Sequence, residues 1–129
     1  MTTRQRKVTS GALWTAQILL ALLFLFAGTM KFLMPIEKMQ QPVALPAAFI
    51  YFIAVAEIAG ALGLILPGLL RIRTELTPLA AVGLVAIMSG AATLTAETMG
   101  VSAAIFPLVV GIIAAVVAYT RRYVVPVRA

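Results

Sequence analysis

A single carboxylate, Glu57, interrupts an otherwise uncharged run that extends from Val43 to Leu70. A helix needs about 20 apolar residues to cross a bilayer, so a span built on this run carries Glu57 near mid-membrane. An ionised acid at that depth costs roughly 3 kcal/mol on insertion scales. Glu57 must therefore face the interior of a helix bundle, be neutral, or find a partner. The same run holds small residues four apart, Ala56 with Gly60 and Ala59 with Gly63, a spacing that lets helix backbones approach in a membrane. Gly60 and Ala61 lie on the face of Glu57, which points the acid toward a neighbouring helix. Pro67-Gly68 reads as the end of that helix.

The rest of the chain fits this setting. Of its 129 residues 63% are hydrophobic and 11% charged, and a mean hydropathy of +1.09 leaves too little polar surface for a water-soluble domain. Four apolar blocks, at about 11–33, 46–66, 76–96 and 101–119, are each long enough to span. No period-two alternation suggests a β-barrel. The expected fold is all-α: a single domain over residues 1–129, forming a bundle of four transmembrane helices. With no cysteine or histidine, the chain lacks disulfides, thiol chemistry and the commonest transition-metal or haem ligands. We therefore expect no catalytic residue and no metal ligand, and a redox role would require an organic cofactor or a partner subunit.

Charge reads by location. Arg4, Arg6, Lys7, Arg71, Arg73, Arg121, Arg122 and Arg128 fall in the tails and the second loop, against Lys31 and Lys38 on the other side, eight to two. This positive-inside pattern predicts cytoplasmic termini, and it assigns the net charge of +6 to anionic headgroups rather than to nucleic acid. The basic start before an apolar block is reminiscent of a signal peptide, but the block is too long for an h-region.

Taken in order, Trp14 suits an interfacial anchor, and Gln17 either hydrogen-bonds a neighbouring helix or, the reading favoured here, lies near enough to the inner interface to be wet. Lys31 sits just inside the outer end of the first span. Met34 to Leu45 forms an outer loop whose Ile36, Met39, Val43 and Leu45 favour the membrane surface. Tyr51 lies in the outer part of the second span. In the third, Ala86 with Gly90 and Ser89 with Thr93 repeat the close-packing spacing, so this helix is expected to be central. At a rise of about 1.5 Å per residue, Glu57 lies roughly 15 Å below the outer end of its helix, whereas Lys31 and Glu97 lie close to theirs. Lys31 is thus expected to approach Glu97 more closely than Glu57. Glu57, left without a cation at its depth, is expected to be neutral because burial disfavours charge, donating to a backbone carbonyl, Tyr51 or Ser89. In the fourth span Pro107 is tolerable as a kink, and Tyr119 and Tyr123 flank Arg121-Arg122 at the inner interface.

With these segments in hand the chain resembles the DoxX-like family of small four-helix bacterial membrane proteins. The carriers are Leu22-Leu23-Phe24-Leu25-Phe26-Ala27-Gly28-Thr29-Met30-Lys31, then Ala56-Glu57-Ile58-Ala59-Gly60-Ala61-Leu62-Gly63 through Pro67, and Leu76-Thr77-Pro78-Leu79-Ala80-Ala81 with Ile87-Met88. The pattern pairs F-x-x-x-G-x-x-K (Phe24, Gly28, Lys31) with A-E-x-x-G (Ala56, Glu57, Gly60). Members often carry a histidine late in the third span. Here that stretch reads Thr93-Leu94-Thr95, and no proton or metal role of that histidine transfers. The resemblance implies little about activity: the namesake is linked to quinol or thiosulfate oxidation in archaea, other members to redox stress, and most have no assigned reaction. Lys31 and Glu57 match the family's polar positions.

The expected function, with the resemblance, is a non-catalytic or accessory multi-pass subunit of a bacterial inner membrane. Its polar pocket would be formed by Lys31, Glu57 and Glu97 with Tyr51, Ser89 and Thr93, and would take a lipid, a quinone or another small amphiphile. A redox membrane partner or a second copy of the chain would be its protein partner, and any quinone chemistry would be reached through that partner. Two other classes compete. A proton-coupled small-molecule exporter would use Glu57, although small four-helix exporters that insert in both orientations need a weaker charge bias than eight to two. A structural or assembly factor would bind no ligand.

Overall fold

A computed structural model describes residues 2–40 and 45–126. Five α-helices follow one another: α1 (Thr3–Leu33), α2 (Ile36–Met39), α3 (Ala47–Leu70), α4 (Leu76–Met99) and α5 (Val101–Tyr119), the last running into a π-helical turn at Thr120–Val124. α1, α3, α4 and α5 with its π turn are each long and apolar enough to cross a membrane. The chain neighbours pack on one another, α1 on α3, α3 on α4 and α4 on α5, while α5 returns to α1 over a smaller contact. Both tails and the α3–α4 loop fall at one end of the bundle, called here the basic end. Gln41, Pro42 and Val43 of the expected surface loop lie outside the described residues. Within that loop Ile36 and Met39 of α2 are half-buried, and Gln40 Nε2 donates to Leu45 O at 2.8 Å.

Each buried face is a helical stripe. On α1 it runs Leu13, Gln17, Leu20, Ala21, Phe24 and Gly28. On α3 it is Ile50, Ala54, Glu57, Ala61 and Leu64, and on α5 Ala104, Val110, Ala114 and Val117. The i, i+3, i+4, i+7 spacing is that of one helix face. The hydrophobic core gathers at the basic end, where Leu13, Leu20, Phe24, Leu64, Leu84 and Val117 meet. All four buried residues of α4, Thr77, Pro78, Ala81 and Leu84, belong to its first ten positions. The bundle is therefore tightest at the basic end and loosens away from it.

Three expectations about helix ends and faces are corrected. α1 starts at Thr3, well before residue 11, because Thr2 and Gln5 form a reciprocal capping box: Gln5 N donates to Thr2 Oγ1 at 3.1 Å, and Thr2 N to Gln5 Oε1 at 2.8 Å. α3 does not stop at Pro67 but runs to Leu70 and ends on Arg71 in the left-handed conformation, φ 55°. A proline inside a helix deprives the carbonyl four residues earlier of its donor, here that of Gly63. Thr77 Oγ1 from the next helix supplies the replacement at 3.2 Å, so the helix passes through the proline. α4 does not pack through the expected small residues, since Ala86, Ser89, Gly90 and Thr93 are all exposed, although it packs on both α3 and α5. The close helix contacts use other small residues. A methyl group added to Gly63 would meet the Ala80 side chain at 2.7 Å, and one added to Gly60 would meet Leu84 at 2.8 Å.

The replacement donor leads to a test. Thr77 is fully buried, at 0% exposure, and Thr77→Val keeps its shape while removing the hydroxyl. The Gly63 carbonyl is then left without a donor, at a cost of about 1–3 kcal/mol. Unfolding in detergent should show that loss for Thr77→Val and its recovery in Thr77→Ser; equal stability of all three would remove the hydroxyl from the account of Pro67.

Candidate functional site

Two charged groups lie on buried helix faces, Glu57 near the middle of α3 and Arg121 at the basic end. Glu57 continues the apolar stripe of α3 and is 2% exposed. Lys31 follows Gly28 by one turn on the inner side of α1. Its Nζ stands 2.7 Å from Glu57 Oε1, with the lysine side chain 30% and the glutamate side chain 3% exposed. The ammonium approaches Oε1 off the direction of an aligned hydrogen bond. Among the described residues Oε1 has no directed donor, although it has a charge beside it. Both descriptions fit an electrostatic pair held by helix packing.

This pairing overturns the expectation that Lys31 approaches Glu97. The depth argument set the outer ends of the helices level, and they are not. Gly28 is in contact with Ala54 and Ile58, its added methyl falling 2.8 Å from Ala54 O and 2.7 Å from Ile58 Cγ1. Phe32 stacks on Tyr51, with ring centroids 5.5 Å apart and planes within 10°. Residue 28 is thus level with about residue 56, and α3 extends about four residues, roughly 6 Å, beyond α1. A helical side chain leans toward its own N-terminus, which for Lys31 is deeper into the bundle. That lean spans the remaining offset to Glu57. The premise for a Glu57 without a cation fails with it.

The other expected pocket residues do not gather there. Tyr51 does lie near the pair through its stacking on Phe32. Glu97 is exposed at the end of α4. Ser89 Oγ donates to Val85 O at 2.8 Å and Thr93 Oγ1 to Ser89 O at 2.9 Å, so both hydroxyls turn back on their own helix, as such residues commonly do.

At the basic end a second polar centre surrounds Arg121, which is also 2% exposed. Its Nε donates to Gln17 Oε1 at 2.8 Å. Nη1 donates to Ser10 Oγ and to Val125 O, each at 3.1 Å, and Nη2 to Ser10 O at 3.2 Å. The guanidinium carbon lies 5.7 Å from the ring centre of Trp14, a cation–π distance. Gln17, at 0% exposure, passes the link on by donating Nε2 to Leu64 O at 2.6 Å. The π turn contributes directly: Val125 N bonds Thr120 O at 2.8 Å across five residues, and Val125 O faces the guanidinium. Among the described residues every acceptor bonded to Arg121 is neutral, so the buried cation is held by dipoles and the Trp14 ring and ties α5 to α1 and, through Gln17, to α3.

Both Gln17 and Arg121 were assigned to the interface by sequence, and both are core. Phase along the helix carried the missed signal. Val110, Ala114, Val117 and Arg121 are spaced four, three and four apart, on the buried stripe, whereas Arg122 falls outside it and is exposed.

A family model, the DoxX-like family, matches residues 15–117 of the chain. The chain belongs to the DoxX-like family. No curated protein and no solved structure matches it. In this DoxX-like protein the matched stretch includes Gln17, Lys31 and Glu57, while Ser10 and Arg121 lie beyond it. The F-x-x-x-G-x-x-K and A-E-x-x-G patterns are the two sides of one contact: Gly28 admits α3 closely enough for the lysine to reach the acid one turn on.

Proposed function

We propose that this DoxX-like membrane protein is a non-catalytic or accessory subunit that binds the polar head of a small amphiphile, a lipid or a quinone, at the Lys31–Glu57 pair. We place both termini in the cytoplasm, on the positive-inside distribution of its lysines and arginines, and the chain in a bacterial inner membrane, on its membership of the DoxX-like family. Electron chemistry would belong to a partner subunit. The observation that carries the reading is the unequal state of the pair. Glu57 Oε1 is buried without an aligned donor, while the partly exposed Lys31 ammonium carries three N–H donors and makes one contact to the acid. Oε1 itself is closed to a ligand, so recognition falls to the ammonium, from which a ligand carbonyl could accept. Quinones and lipid esters carry such carbonyls.

The test is thermal unfolding of the purified protein in detergent with a short-chain quinone or a phospholipid added, beside Glu57→Gln and Lys31→Met. A ligand present at 100 times its Kd stabilises by about 2.7 kcal/mol. We expect a stabilisation of this order in the unaltered protein and its loss in Glu57→Gln, which keeps the shape of the site. Stabilisation by neither compound, or equal stabilisation of all three proteins, would remove the ligand from this pair.

A further inference from the structure

We propose that the groove between α4 and α5 at the basic end holds a single phospholipid whose headgroup carries both a primary ammonium and a phosphate. The groove has a volume of about 630 Å3, within the roughly 300–1,000 Å3 of small-molecule sites. Its walls are apolar, with Val82 and Val85 on α4 and Ala115 on α5. Its polar groups are confined to the end near the tails, where Glu75 lies just ahead of α4 and Arg122 on the π turn after α5. This site lies at the opposite end of the bundle from Lys31 and Glu57 and stands independently of the function proposed for them.

Length and charge select the occupant. Val85 lies ten residues beyond Glu75, a drop of roughly 15 Å at the helical rise, which is half of the about 30 Å hydrocarbon core. The groove therefore has the depth of one leaflet, as an acyl chain entering from the headgroup region requires. Tyr119 and Tyr123, also lining it, are packed together with ring centroids 5.3 Å apart, in the amphipathic position that tyrosines take at a membrane interface. Glu75 and Arg122 are both exposed, and among the described residues they form no ion pair with each other. They present one acceptor and one planar donor to the same opening. Arg122 suits a phosphate, and Glu75 suits an ammonium that can donate hydrogen bonds. An anionic glycerol headgroup would place no donor cation against Glu75, and a choline headgroup has a cation without N–H.

Native mass spectrometry of the full chain in mild detergent, with phosphatidylethanolamine, phosphatidylglycerol and phosphatidylcholine of identical acyl chains supplied in equal amounts, tests this. The ethanolamine lipid should be retained about two- to fivefold over the others, the range that one exposed ion pair supports. Glu75→Gln should bring it down to the level of the choline lipid, and Arg122→Gln should weaken all three. Ala115→Trp should fill the groove and abolish retention with both charged groups still present. Equal retention of the three lipids, preference for the glycerol lipid, or retention unaffected by Ala115→Trp would overturn the proposal. So would a dimer that Ala115→Trp dissociates without any dependence on lipid, which would give the groove to a second copy.

Discussion

Replacing Arg121 by methionine should destabilise the protein by about 3–5 kcal/mol, the loss expected when one member of a buried charged network is removed. Methionine keeps much of the length of the side chain but none of its donors. Gln17 Oε1 and Val125 O then lose the N–H groups at 2.8 and 3.1 Å, and each buried acceptor left unpaired costs about 1–3 kcal/mol; Ser10 O, inside α1, loses only a second donor at 3.2 Å. Relief from burying a cation offsets part of this, so the net falls below the sum. Arg121→Lys should recover only part of the loss, because an ammonium cannot reproduce the guanidinium fork. Gln17→Leu breaks the link in the middle and leaves Leu64 O without its side-chain donor. Combined with Arg121→Met it should cost less than the two single changes together, with a coupling of about 0.5–3 kcal/mol. The neighbouring Arg122→Gln, on an exposed residue, should change stability by no more than about 0.5 kcal/mol. Urea or thermal unfolding in one detergent measures all five; similar small effects for Arg121 and Arg122 would show that Arg121 acts as a surface charge.

The contrast between these two arginines marks the boundary of what sequence made legible. Hydropathy located the four spans, because crossing a bilayer demands a length of apolar chain whatever the packing. The stripe through Ala54, Glu57 and Ala61 was legible for a similar reason, since a lone carboxylate among apolar residues has few places to go. Hydropathy is silent about how far one helix is displaced along another. That displacement decides whether Lys31 meets Glu57 or Glu97, and it is set by the fit of Gly28 against Ala54 and Ile58, a contact between segments distant in sequence. Small residues were ambiguous in a different way. Ala86 and Gly90 have the spacing of a packing face, yet α4 packs through Ala80, Ala81 and Leu84 instead, because those are the residues opposite Gly63 and Gly60. Pro67 misled because its cost depends on whether another group can donate to Gly63 O, and Thr77 does so from the next helix.

Lys31→Met should cost more than Glu57→Gln, although the two substitutions break the same ion pair. Glu57 is 2% exposed, and without Lys31 its carboxylate has no other cation at its depth, so a loss of about 3–5 kcal/mol is expected, as for breaking a buried pair. Lys31 has an alternative. Its side chain is 30% exposed and begins close to the end of α1, so after Glu57→Gln its ammonium can turn outward toward the headgroups. The glutamine fills the same space and retains polar atoms, and a loss of about 1–2 kcal/mol is expected on the scale of ordinary single substitutions. In the double mutant the lysine's charge and the acid's need for it disappear together, so it should cost less than the sum of the two single changes, with a coupling of about 0.5–3 kcal/mol. The cycle therefore reports on the pair apart from the general cost of altering either helix. Were the two changes strictly additive, the 2.7 Å approach would be a consequence of helix packing with no energetic content, and Glu57 would again need a partner other than Lys31.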